Sequence, residues 1–143
     1  MNREILFRAK HIHAIPGNEH LNGTWVQGYL SDKNYINDKS LEGEFLIDED
    51  TICQYTGLTD KNGKKIFEGD IVRYGEIYGE VKFGLYENNW QIDKYNQGFF
   101  VTFPKENLLR NELGFWRKKV VVVGNIYDNS ELLEEISECE TEI

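Results

Sequence analysis

Three groups of side chains in this chain have the type and spacing to do chemistry. The first is acidic. Glu68 and Asp70 flank Gly69, and two close carboxylates can split their pKa values and act as an acid–base pair. Period-two alternation puts both on one strand face only if the strand is unbroken. Gly69 predicts a bend there instead, with Asp70 bonded to turn backbone and Glu68 exposed. Asp60-x-Asn62-Gly63 hints at a calcium loop. With Gly63 in the sixth position of an EF-hand loop, however, the first and twelfth fall on Leu58 and Gly69, and neither offers a carboxylate. An Asn-Gly hairpin turn accounts for the same residues.

The second group is imidazole and thiol. His11-x-His13, with His20 nearby, could turn two rings to one strand face, but no cysteine pair or acid stands at metal-ligand spacing from them. Ordinary surface histidines in a loop are the expectation. Cys53, between Ile52 and Gln54 and close to Tyr55, reads as a small buried hydrophobe. Cys139 sits among acids that raise a thiol's pKa and dull it. The third group is cationic. Trp116 precedes Arg117-Lys118-Lys119, and a looser set stands at Lys61, Lys64 and Lys65. With Trp90, Tyr95, Phe99 and Phe100 they could stack on and neutralise nucleic acid, although such residues more often fill a small β core and cap strand ends. Gly-x-Ser-x-Gly and the phosphate-binding Gly-x-x-x-x-Gly-Lys-Ser/Thr string are both absent from the sequence, which leaves no catalytic constellation and no implied cofactor.

These residues must be positioned by a β-rich chain. Aromatic residues make up 13%, with 13 Gly and 2 Pro, and aromatic and β-branched runs parted by Gly and Asn favour strands. Strands are expected at Glu4–Lys10, Trp25–Leu30, Tyr35–Ile36, Glu44–Ile47, Cys53–Thr56, Lys64–Phe67, Asp70–Tyr74 and Glu80–Phe83. A further pair is expected at Trp90–Lys94 and Phe99–Phe103, with Asn96-Gln97-Gly98 as its turn. Asn22-Gly23 and Asn62-Gly63 read as type I′ turns with positive φ at both positions. A short helix fits 104–113, with Pro104 in its first turn and Gly114 after its end. Val120–Val123 is continuously β-branched, the pattern of a central strand covered on both faces. A helix starts near Asp128–Ser130, where Asp128 and Glu131 have capping-box spacing.

Charge bounds the partners. The net charge is −9 over 143 residues. Seven acids and no Lys or Arg fall between Asp128 and Ile143, so the rest is nearly neutral. A general basic footprint for nucleic acid is therefore missing. The acidic end reads as a solubilising segment or as a dock for a basic partner. Apolar runs stop well short of the 18 residues a transmembrane helix needs. Two distant cysteines make no disulfide scaffold, which favours a reducing cytoplasm.

Two long strings are distinctive: Thr56-Gly57-Leu58-Thr59-Asp60-Lys61-Asn62-Gly63-Lys64-Lys65-Ile66-Phe67-Glu68-Gly69-Asp70-Ile71-Val72, and Val123-Gly124-Asn125-Ile126-Tyr127-Asp128-Asn129-Ser130 followed by Glu131-Leu132-Leu133. With Arg3–Ala9 and Gly23–Tyr29 they resemble the YopX family, in order, from about residue 3 to 135. Ser130 stands where that family often has Pro. The resemblance implies a β-rich accessory protein of phages and prophages, with no agreed catalytic residues. The combined expectation is a mainly β, α+β chain: an N-terminal β region (1–50), then a small SH3-like barrel closed by a C-terminal helix (51–143). Gly57, Asn62, Gly63, Gly69, Asp70, Gly124 and Asn125 are its structural motif. The expected role is non-catalytic binding of a host or phage protein, or of a second copy as a homo-oligomer. The alternative is nucleic-acid association through Trp116, Arg117, Lys118 and Lys119. An enzyme acting through Glu68 and Asp70 ranks below both.

Overall fold

Alternating apolar and polar residues, and glycines where the backbone must turn or approach closely, build ten strands among the described residues. The computed structural model describes residues 5–12, 23–32, 34–87, 95–104 and 110–133. The chain divides into two compact units, Met1–Gly57 and Leu58–Ile143.

In the first unit the strands are β1 (Phe7–Lys10), β2 (Trp25–Asp32), β3 (Tyr35–Asp38), β4 (Gly43–Leu46) and β5 (Cys53–Thr59), which runs on past Gly57. Their antiparallel order is β4-β3-β2-β1-β5. Ala9 lies opposite Val26, and with Ile36 and Ile47 they form a core flanked by Phe7, Leu30, Phe45 and Ile52. Gly28 serves close approach. A Cβ there would stand 1.9 Å from the Asn37 carbonyl oxygen, so no side chain fits without parting β2 from β3. Gly23 enters β2 at φ 87 and donates to the His11 carbonyl at 2.9 Å. It closes a long connection, not a two-residue hairpin, and Asn22 lies outside the described residues.

In the second unit the end of β5 leads through a hairpin into β6 (Lys65–Phe67), followed by β7 (Asp70–Tyr74), β8 (Ile77–Glu87), β9 (Tyr95–Thr102), α1 (Leu113–Trp116) and β10 (Val121–Asn125). Four strands form a sheet in the order β10-β7-β8-β9. Ile66, Val72, Val81, Val101, Phe103, Leu113, Trp116 and Val120 make its core.

The mainly β expectation is met, and the SH3-like barrel is not. Closure needs the edge strands β10 and β9 to meet. Instead β9 spends part of its outer edge on residues 111–112: Val101 N–H donates to the Asn111 carbonyl at 2.8 Å, and Phe100 bridges Glu112. Asn96-Gln97-Gly98 is no turn. Gly98 lies in mid-strand opposite Gly84, in a ladder that runs from Glu80–Thr102 to Glu87–Tyr95. Val121–Val123 prove to lie in an edge strand, half-buried, with Val120 fully buried just before it, because among the described residues β10 pairs only with β7 and slips register between Val122 and Gly124. Of the expected helix over 104–113, residues 105–109 lie outside the described residues, 110–112 are not helical, and α1 starts at Leu113 with Gly114 inside it. Of the expected C-terminal helix, Glu131–Leu133 are helical and the residues from 134 onward lie outside the described residues.

The Asn62-Gly63 hairpin forms with a different turn. Only Gly63 has positive φ, at 85. Its N–H donates to the Asp60 carbonyl at 3.0 Å, while Asp60 N–H donates to the Lys64 carbonyl at 2.8 Å. That is the three-residue loop in which glycine takes the left-handed position. Gly63 is exposed, and a Cβ on it would meet nothing within 4 Å, so a substitution costs backbone strain alone. Thermal denaturation of two variants separates the two glycine roles. Gly63→Ala is expected to cost about 1 kcal/mol. Gly28→Ala, which forces backbone apart, is expected to cost about 3 kcal/mol.

Candidate functional site

The hairpin part of the motif gathers around one carboxylate. Asp60 is 5% exposed and sits between β5 and the hairpin. Its Oδ1 accepts the backbone N–H groups of Asn62 and Lys64, each at 2.9 Å. Its Oδ2 accepts Val122 N–H at 2.9 Å from the outer edge of β10. Lys61 N–H completes the join by donating to the Val120 carbonyl at 3.2 Å. Burial pushes the carboxyl's pKa up, but the N–H groups of Val122, Lys64 and Asn62, with the Lys64 charge, outweigh it and hold it below the usual carboxylate value. Three charge-assisted bonds occupy the side chain, so the oxygens a calcium loop would need are turned on the protein's own backbone.

Asp70 has the same kind of employment. It is buried, and its Oδ2 accepts Phe67 N–H at 2.8 Å across the turn between β6 and β7. Glu68 is half-buried rather than exposed, beside Gly69 at φ 86. Gly69 N–H donates to the Val81 carbonyl and its own carbonyl accepts Ile126 N–H. The bend between the two acids is therefore real and tied down on both sides. Asn125 orders the turn after β10: its Oδ1 accepts Tyr127 and Asp128 N–H groups, each at 2.9 Å. A Cβ on Gly124 would lie 2.5 Å from Asn129 Oδ1. Gly57 is exposed within β5 at φ 85.

The cationic group is split by the structure. Trp116 is 5% exposed. Its Nε1 donates to the Arg110 carbonyl at 2.8 Å, and Tyr74, Phe103 and Phe115 pack against its ring. That ring cannot stack on a base. Arg117 is half-buried, with Nε and Nη2 donating to the Thr59 carbonyl and hydroxyl at 3.1 Å. Lys118 and Lys119 are exposed, the latter 5.2 Å from the Phe115 ring centroid. Trp90 lies outside the described residues.

The thiol and imidazole residues are structural where described. Cys53 is buried, its Sγ 3.4 Å from the Thr51 carbonyl. His11 is buried, contrary to the surface-loop expectation. Its Nδ1 donates to the Leu46 carbonyl at 2.8 Å and its ring meets Phe45 edge-on. His13, His20 and Cys139 fall outside the described residues. Among the described residues no three His, Cys, Asp or Glu side chains are grouped to hold a metal ion, and no helix is long and apolar enough to cross a membrane.

A profile for the YopX protein family matches residues 10–134. The chain belongs to the YopX family. No curated protein matches it. The matched span in this YopX-family chain takes in the Asp60 junction, the Gly69 bend and the Asn125 turn.

Two features escaped the reading of the sequence. Asp38, buried, does in the first unit what Asp60 does in the second. It accepts Gln27 N–H at 2.9 Å, Ser40 N–H at 3.0 Å, Ser40 Oγ–H at 2.6 Å and Leu41 N–H at 3.3 Å. Desolvation raises its pKa, and these bonds bring it below the usual value. The signal was the Asp38-x-Ser40 turn pattern. The other feature is the β8–β9 ribbon. Beyond Glu80, β7 no longer pairs with β8, and among the described residues β8 and β9 continue as a two-stranded ladder. One face carries Val81 and Val101 at the core end, then the Phe83–Phe99 pair at 4.9 Å, then Leu85 opposite Gln97 and Tyr95 opposite Glu87. Phe83 is 51% exposed, Leu85 69% and Tyr95 69%. The other face carries Tyr86 stacked on Phe100 at 5.0 Å. Burial and the Glu112 charge raise the Tyr86 pKa. The period-two run from Val81 to Leu85 was visible, but Gly84 reads as a strand end in the sequence alone.

Asp60 makes the pH dependence calculable. Its folded pKa lies below an unfolded value of about 3.9. The stability it supplies is therefore present above that value and is lost as pH falls through the folded pKa. Asp60→Asn is expected to lose about 3 kcal/mol at pH 7, with the gap to wild type narrowing toward about pH 3. Urea denaturation at the two pH values checks this.

Proposed function

We propose that this chain is a phage- or prophage-encoded accessory protein that works in the host cytoplasm as a non-catalytic binding module for a protein partner. One observation carries the reading. The apolar face of the β8–β9 ribbon leaves the core at Val81 and Val101 and continues outward through Phe83, Leu85 and Tyr95. A two-stranded ribbon has little stability of its own, and exposed aromatic and aliphatic side chains in a contiguous strip suit protein contact better than solvent. The partner that fits is a host or phage protein, or a second copy of this chain, presenting an apolar strip. The employment of Asp60 and Asp70 by backbone supports a scaffolding role for the motif. Nucleic-acid association, the other reading, would rest on Lys118 and Lys119 without Trp116, whose ring is buried, or Arg117, held by Thr59.

A photo-crosslinking residue in place of Leu85 tests the ribbon in host cells. The expected result is one discrete adduct that disappears when Tyr95→Ser is added. Tyr95→Ser is expected to change stability by less than about 0.5 kcal/mol, since it is exposed. No adduct, or an adduct indifferent to Tyr95→Ser, contradicts the reading. An adduct of twice the chain's mass identifies the partner as a second copy.

A further inference from the structure

The two basic groups, far apart in the sequence, meet in the fold. The Lys61 backbone N–H donates to the Val120 carbonyl, and Asp60 joins the same hairpin to Val122. This sets the exposed side chains of Lys61 and Lys64 beside the segment that carries exposed Lys118 and Lys119. Residues 61–67 and 113–127 hold six cations and no acid. The one acid at the junction, Asp60, is buried and spends its oxygens on three N–H groups. Arg73, exposed, lies opposite Val121 and adds to the same end. Exposed Glu76, in the turn after β7, is the acid that follows on that side. In a chain of net charge −9, this corner is a local positive field.

We infer that this corner is the dock for the chain's own acidic C-terminal run, Glu134 to Glu142. Three observations select that occupant. The run from Asp128 onward has seven acids and no Lys or Arg, so its charge is the complement of the corner. The last described residue, Leu133, follows the turn at the far end of β10. β10 spans about 13 Å from Val121 to Asn125, and the ten residues after Leu133 reach up to about 33 Å when extended. The connection also gives the run a high effective concentration at the corner, which a separate chain at micromolar levels lacks. Nucleic acid is the weaker occupant, because the adjoining Trp116 ring is buried and the whole chain repels polyanions. The inference does not depend on the ribbon's role.

Amide NMR of the full chain tests it. Glu134, Glu135, Glu138, Glu140 and Glu142 are all replaced by Gln, which leaves the described core untouched. The expected result is a shift of the Lys61, Asn62, Lys64, Lys118 and Lys119 amides. The same amides should move in wild type when salt is raised from about 20 mM to about 500 mM, which shortens the screening length severalfold, and should stay unchanged on tenfold dilution. The reciprocal variant, Lys118→Glu with Lys119→Glu, should shift amides in 134–142. Basic-corner amides indifferent to the five Gln substitutions overturn the inference. So do shifts that vanish on dilution, which would place the run on another molecule. A mixed-sequence duplex of about 20 base pairs that perturbs the lysine amides of wild type, with no effect from the Gln substitutions, gives the corner to nucleic acid and overturns it as well.

Discussion

A buried carboxylate must be satisfied, and Asp60 is satisfied only by backbone from three places at once. Asn62 and Lys64 supply N–H groups from the hairpin that Asp60 itself opens, and Val122 supplies one from the strand edge. An unpartnered charge in that position would be severely destabilising, so hairpin and strand edge are obliged to stay together. The same obligation protects β10. Its outer edge would otherwise present free N–H groups, and at Val122 the aspartate fills the place of a neighbouring strand. Asp38 repeats the device in the first unit, joining Gln27 on β2 to the turn after β3. In each unit a single short acid ties a turn to a strand through backbone N–H groups.

That employment sets the chemistry the motif can perform. A carboxylate that accepts several backbone N–H groups is stabilised in its charged form and is a poor proton carrier near neutral pH. Within the strings that carry the family resemblance stand turn formers that bond backbone: Gly63 with Asp60, Gly69 with Ile126 and with Val81 outside the strings, and Asn125 with Tyr127 and Asp128. They act on backbone. Exposed side chains stand on the β8–β9 ribbon, at Phe83, Leu85 and Tyr95, and at Lys61, Lys64, Lys118 and Lys119.

Local chemistry in the sequence reported local structure well. The hairpin at Asn62-Gly63 and the turn bond of Asp70 depend on residues within a few positions of one another, and the bend at Gly69 was legible from the glycine itself although its bonds reach Val81 and Ile126. What failed depended on distant pairing. The Val120–Val123 run is apolar enough for a central strand, but its neighbours are decided by β7 on one side and by Asp60, some sixty residues earlier, on the other. The barrel failed because residues 111–112 occupy part of the β9 edge. Gly84 and Gly98 read as strand breakers one at a time, although they face each other in a continuous ladder. Trp116 illustrates the same limit for the site. Beside three cations it reads as a stacking platform, and only packing against Tyr74, Phe103 and Phe115 reveals it as core.

The glycine-punctuated motif holds Asp60 and Asp70 for the protein's own backbone. Site-resolved carbon NMR of the side-chain carboxyl groups tests it most directly, by titrating Asp60 in the folded chain with and without a millimolar excess of calcium. The expected Asp60 midpoint lies below the usual value of about 3.9 and is unmoved by the cation. A midpoint at or above that value, or one that calcium lowers, contradicts it.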